Sequence, residues 1–137
     1  MNLPSPRAQL AGCIWLARIV AKARLVRTGG LPPEYASRFC HASGVDGQFI
    51  RFFSLTKEDL LAVGERSDPE VAAWFTALPM ATTPRIQEWN RIAVNLGRVG
   101  FPMAERLPVA LATTYQHLKG RTFETVFEVL EADEAQG

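Results

Sequence analysis

The chain has 137 residues, 47% of them hydrophobic and 21% charged, with a formal net charge of +1. That length suits one domain able to bury about two thirds of its unfolded surface, and the balance of charge argues against a generally basic nucleic-acid binder. No apolar run reaches the roughly 18 residues of a membrane span, and two cysteines, Cys13 and Cys40, are too few for a disulfide framework. Both read as reduced thiols of a cytoplasmic protein.

Charge is unevenly spread along the chain. Residues 1–55 carry seven cations and two acids, and residues 56–71 carry two and five. Residues 72–121 carry six and two, and residues 122–137 carry five acids and no cation. Complementary blocks of this kind pair within a fold more often than they face partners.

The stretch Ser5 to Arg27 reads as one long helix that organises the rest. Ser5 suits the N-cap and Pro6 the first helical position. Thr28-Gly29-Gly30 stops the helix, and Leu31-Pro32-Pro33 prevents a restart. Leu10, Ile14, Leu16, Ile19, Val20 and Val26 surround its axis, the mark of a buried helix. Arg7, Arg18 and Lys22 nevertheless share one stripe of it, beside Trp15 and Leu25. Cations on a buried helix require carboxylate partners or an anionic ligand. Leu10-Ala11-Gly12-Cys13 matches the box at which bacterial lipoproteins are lipidated, but the apolar segment that signal requires lies on the wrong side of the cysteine.

Leu31 to Gly47 reads as the longest irregular region, with one helical turn near Pro33-Glu34-Tyr35 and a turn at Asp46-Gly47. Phe49, Ile50 and Phe53 share a face of a short helix. Thr56 with Asp59 resembles a capping box opening a helix that Gly64 ends. Ser67 or Asp68 caps the next, with Pro69 near its first position and Val71, Trp74, Phe75 and Leu78 at helical spacing. Thr83-Pro84 starts another, with Ile86, Trp89, Ala93 and Leu96 inward and Gly97 as its stop. Pro108 interrupts the face made by Leu107, Leu111, Tyr115 and Leu118. A helix starting near Pro108 after a separate turn fits better than one kinked there. The last helix takes Thr122 as cap, with Phe123, Val126, Phe127 and Leu130 inward. No sustained period-2 alternation flanked by hairpin turns suggests a sheet. The expected architecture is all-α: a single domain, residues 1–137, as a compact bundle of six or seven short helices around a long, largely buried N-terminal helix.

Five segments carry a resemblance. They are Trp15-Leu16-Ala17-Arg18 with Lys22-Ala23-Arg24, Gly44 to Gly47 with Phe52-Phe53-Ser54-Leu55, Ser67 to Trp74, Ile86 to Asn90, and Thr122 to Glu134. In this order the chain resembles a bacterial family catalogued only as a domain of unknown function. The resemblance implies a single small domain and brings no activity with it. Where the pattern has an acid just before Lys22, this chain has Ala21.

Nucleophilic catalysis finds little support, since Cys40-His41 and a distant His117 do not make a triad. The same residues with Cys13 lack the paired spacing of a metal site, and no Gly-rich phosphate loop is present. No catalytic residue, metal or cofactor is therefore expected. The candidate ligand-binding residues are Trp15, Arg18, Lys22 and Asp46. The cationic stripe reads either as a structural ion-pair network, with Asp46, Asp59 and Glu88 as candidate partners, or as an anion pocket. The leading function is a helical module that binds a small anionic ligand or a protein partner without chemistry. The alternative is an enzyme on an anionic substrate, with Asp46 or Glu88 as general acid or base. Specific nucleic-acid binding through Arg85, Arg91, Arg98, Arg106, Lys119 and Arg121 lacks interleaved aromatics, and no membrane partner is expected.

Overall fold

A computed structural model describes residues 2–135 of the chain. Two short strands come first, β1 (Gln9–Leu10) and β2 (Cys13–Ile14), then α1 (Leu16–Thr28), α2 (Pro33–Ala36), α3 (Val45–Phe53) and α4 (Lys57–Val63). They are followed by α5 (Asp68–Thr76), α6 (Thr83–Ala93), α7 (Arg106–Ala112), a 3-10 helix (Gln116–Leu118) and α8 (Val126–Ala135). The fold is mostly helical, as the 3.6-residue periodicities imply.

The N-terminal segment departs from expectation. The first helix begins at Leu16 and has 13 residues, and the residues before it form a hairpin in place of two helical turns. Ser5 does start a turn, with Ala8 N–H donating to its carbonyl at 3.0 Å, but the turn does not propagate. Ala11 and Gly12 take φ of 55° and 74°, the two left-handed residues of a tight hairpin turn, and pair Leu10 with Cys13. Glycine within a helix costs about 1 kcal/mol relative to alanine, so the position that weakens a helix here favours the turn. The lipoprotein-like tetrapeptide is thus this hairpin. The expectation of no sheet is corrected by the same two strands. Arg7 falls outside the helix and is exposed, so the stripe reduces to Arg18 and Lys22.

The chain divides into two compact units, Met1–Trp89 and Asn90–Gly137, with the division inside α6. In the first unit α4 packs on α1. Leu16, Ile19 and Leu60 are fully buried there, as are Phe49, Phe53 and Phe75. The Phe53 ring stands edge-on to Phe75 with centroids 5.0 Å apart, and Phe49 stands edge-on to Trp89 at 5.5 Å, geometries that suit aromatic quadrupoles. Trp89 Nε1 donates to the Ile14 carbonyl at 2.8 Å, which ties the hairpin to α6. A capping box opens α4 (Thr56 with Asp59), as its sequence predicts, and another opens α5, where Ser67 and not Asp68 is the cap and Glu70 its partner.

In the second unit Leu107, Tyr115, Leu118, Val129 and Ala132 form a buried cluster, with Leu111, Phe123, Val126 and Leu130 partly buried against it. Pro108 occupies the third position of α7, where its missing N–H has no helical partner to lose, and Gln116–Leu118 follow as a separate turn. The last helix starts later than predicted. Thr125, not Thr122, caps it: its Oγ1 accepts from Glu128 N–H at 3.3 Å while Glu128 Oε1 accepts from Thr125 N–H at 2.9 Å. Glu128 Oε1 also accepts from Glu124 N–H, and these bonds hold its carboxyl below the usual range.

Candidate functional site

Three of the four candidate residues meet at one buried carboxylate. Asp46 is the second residue of α3, where a negative charge suits the helix dipole. This corrects its reading as a turn residue. The turn-like Asp46-Gly47 pair is helical because Gly47 lets α3 approach the preceding loop. A Cβ on Gly47 would lie 2.4 Å from the His41 carbonyl oxygen, closer than any side chain permits.

Asp46 Oδ1 accepts from Trp15 Nε1 at 2.7 Å and from Lys22 Nζ at 3.3 Å. Its Oδ2 accepts from Cys40 N–H at 3.0 Å and from Lys22 Nζ at 3.4 Å. Charge-assisted bonds of this kind are among the stronger ones. Lys22 Nζ also lies 4.9 Å from the centroid of the Trp15 ring, and the Arg18 guanidinium carbon lies 5.2 Å from it, so two cations lie over the indole. Arg18 Nη1 donates to the Pro4 carbonyl at 3.0 Å, binding the N-terminal segment to α1.

All four side chains are closed off from water. Trp15 and Asp46 are each 2% exposed, Arg18 is 1% and Lys22 is 6%. Burial draws the Lys22 ammonium below its ordinary pKa, the Asp46 carboxylate opposes that shift, and the nearby Arg18 charge adds to it. Two backbone residues touching the carboxylate are left-handed without being glycine: Trp15 at φ 80° and Cys40 at φ 57°. Such conformations cost energy and persist where surrounding bonds over-determine them. Here the same carboxylate fixes both.

Of the other candidate acids, Asp59 serves the capping box of α4, and Glu88 lies exposed on α6. The residue that sequence reasoning missed is Cys40, which contributes a main-chain N–H, a donor that every residue but proline carries and that no pattern marks. Its thiol is not an activated nucleophile: burial chiefly, and then the Asp46 charge, push it up to about 12. Cys13 is raised as well, by burial alone. Neither cysteine forms a disulfide. Among the described residues no group of three or more His, Cys, Asp or Glu could hold a metal ion.

The family model described as "Domain of unknown function (DUF5069)" matches residues 1–136. The chain belongs to this family. No curated protein and no solved structure matches the chain. Membership in the DUF5069 family therefore carries no assigned activity to these residues. Among the described residues no helix is long and apolar enough to cross a membrane.

Proposed function

We propose that the protein is a cytoplasmic, non-catalytic helical module that binds a small organic anion, with Trp15, Lys22 and Asp46 as its framework. The observation that supports this is the saturation of Asp46. Its two oxygens receive donors from Trp15, Lys22 and Cys40, and it is 2% exposed. A general acid or base must reach the proton it moves, and this carboxylate faces only its own partners. The alternative enzyme would then depend on Glu88, which is exposed on α6. Among the described residues the large exposed hydrophobics are Met80, Val99 and Val109, few for a protein-docking surface, which supports an anion over a docked protein. Free cysteines suit a reducing compartment.

A thermal-shift panel of phosphate, phenyl phosphate and simple carboxylates tests the reading, with NMR on the same samples. A binder at a hundredfold excess over its Kd should stabilise the protein by about 2.7 kcal/mol, and the NMR spectrum of that ligand should stay unchanged over hours. Turnover of a bound anion would contradict the non-catalytic reading.

A further inference from the structure

The second unit holds a half-open cleft of about 600 Å³, built from α7, the 3-10 helix and the residues that follow it. Its apolar wall is Pro108, Leu111 and Leu118, and its polar residues are Gln116, Lys119 and Arg121. Among the described residues no acid lines it. Among the described residues neither Lys119 nor Arg121 has a carboxylate at ion-pair distance. Two acids of this unit are engaged with other partners, Glu124 with Arg98 and Asp133 with His117. The Arg121 guanidinium lies 5.2 Å from the centroid of the Phe123 ring, which restricts the positions its fork can take.

The volume is typical of small-molecule sites, roughly 300–1,000 Å³. The lining joins one apolar wall to two cations and one neutral amide, Gln116. We propose that this cleft binds a small organic anion, its charged head held by Lys119 and Arg121 and its apolar body laid against Pro108, Leu111 and Leu118. An arginine can grip a carboxylate or phosphate with two parallel hydrogen bonds, and a lysine adds a point charge beside it. The apolar wall then selects among anions: inorganic phosphate meets the charges alone, whereas a chain of several carbons also removes wall surface from water. This assignment rests on the binding-module reading and supplies its site.

The test is calorimetric titration of the full chain with octanoate, phenyl phosphate and octylamine. Octanoate and phenyl phosphate should bind saturably with one-to-one stoichiometry, and octylamine, of the same apolar length but opposite charge, at least tenfold more weakly. The Lys119→Glu/Arg121→Glu double variant changes two exposed side chains, so it should keep the wild-type melting temperature and lose at least tenfold in anion affinity. Ala112→Trp, which fills the cleft from an exposed position, should weaken octanoate binding without reversing any charge. Anion binding that survives both variants would overturn the cleft assignment and leave the binding reading standing. No binding of either anion at millimolar concentration would overturn both.

Discussion

Lys22 Nζ stands 3.3 Å from Asp46 Oδ1 with the two side chains only 7% and 1% exposed. A pair this buried is costly to form and costlier to break, because removing one partner leaves the other charge uncompensated. The pair links α1 to the start of α3, and through the second carboxylate oxygen it also fixes the loop at Cys40. One carboxylate therefore joins α1 to the start of α3, 24 residues away, and to the loop just before it.

Trp15→Phe should destabilise the protein by about 1–3 kcal/mol, the cost of leaving a buried acceptor short of a donor. The ring would still fill most of its space, while Oδ1 would lose its 2.7 Å bond. Urea unfolding should show a lower midpoint at an unchanged slope. An unchanged midpoint would mean that the indole N–H is dispensable.

The thiols should be silent at neutral pH. Cys40 is pushed from an ordinary 9.0 up to about 12, so its contribution to stability is intact below pH 9 and declines as pH rises from 9 towards 12. Lys22, drawn below 10.5, acts in the opposite direction over part of that range. The difference between wild type and Cys40→Ala isolates the cysteine. The variant should lose less stability than wild type between pH 9 and 11, and native wild type should react with an aromatic disulfide reagent at pH 8 far more slowly than the denatured chain. Fast native labelling would contradict the burial of both thiols.

Ser54→Gly should stabilise the protein by roughly 0.5–1 kcal/mol. Ser54 is exposed, ends α3 and sits at φ 56°, a conformation that costs a side chain about 1–2 kcal/mol and glycine nothing. Part of that gain is offset by the greater freedom of glycine in the unfolded chain. Thermal unfolding measures it, and a fall in melting temperature would show that the serine side chain has a role of its own.

What could be read in the sequence was local, and what could not was tertiary. Thr56 with Asp59 and Ser67 with Glu70 announce helix starts because the capping groups lie within four residues of each other. Ile86, Trp89 and Ala93 reveal the buried face of α6 through spacing alone, and Leu96 is buried just beyond its end. Ser5 to Ile14 misleads because it satisfies cap and periodicity rules at once. Ala11-Gly12 is a weak hairpin signal beside the usual Asn-Gly, and Trp15 is held left-handed at the head of α1 with its indole bonded to Asp46, 31 residues away. At the candidate site the cations were legible as an i, i+4 pair on a buried helix, which demands a partner. Asp46 was one of three acids that could supply it, and the close approach of α3 to the preceding loop, which Gly47 permits, is not marked in the sequence. Thr122 and Thr125 offer the same capping hydroxyl three residues apart. The Glu128 carboxylate, bonded back to Thr125 N–H, selects the latter.

The most direct test of the framework is a double-mutant cycle on Lys22 and Asp46, read as melting curves with and without phosphate. Lys22→Met should cost about 3–5 kcal/mol by stranding the buried carboxylate, and Asp46→Asn a comparable amount by stranding the ammonium. The double variant has neither charge, so it should lose less than the sum of the two, with a coupling of at least about 1 kcal/mol. Phosphate should leave the spacing between the four melting temperatures unchanged. The contrary result is a Lys22→Met protein as stable as wild type that has lost a phosphate-induced rise in melting temperature, which would make this cluster an anion site and not a framework.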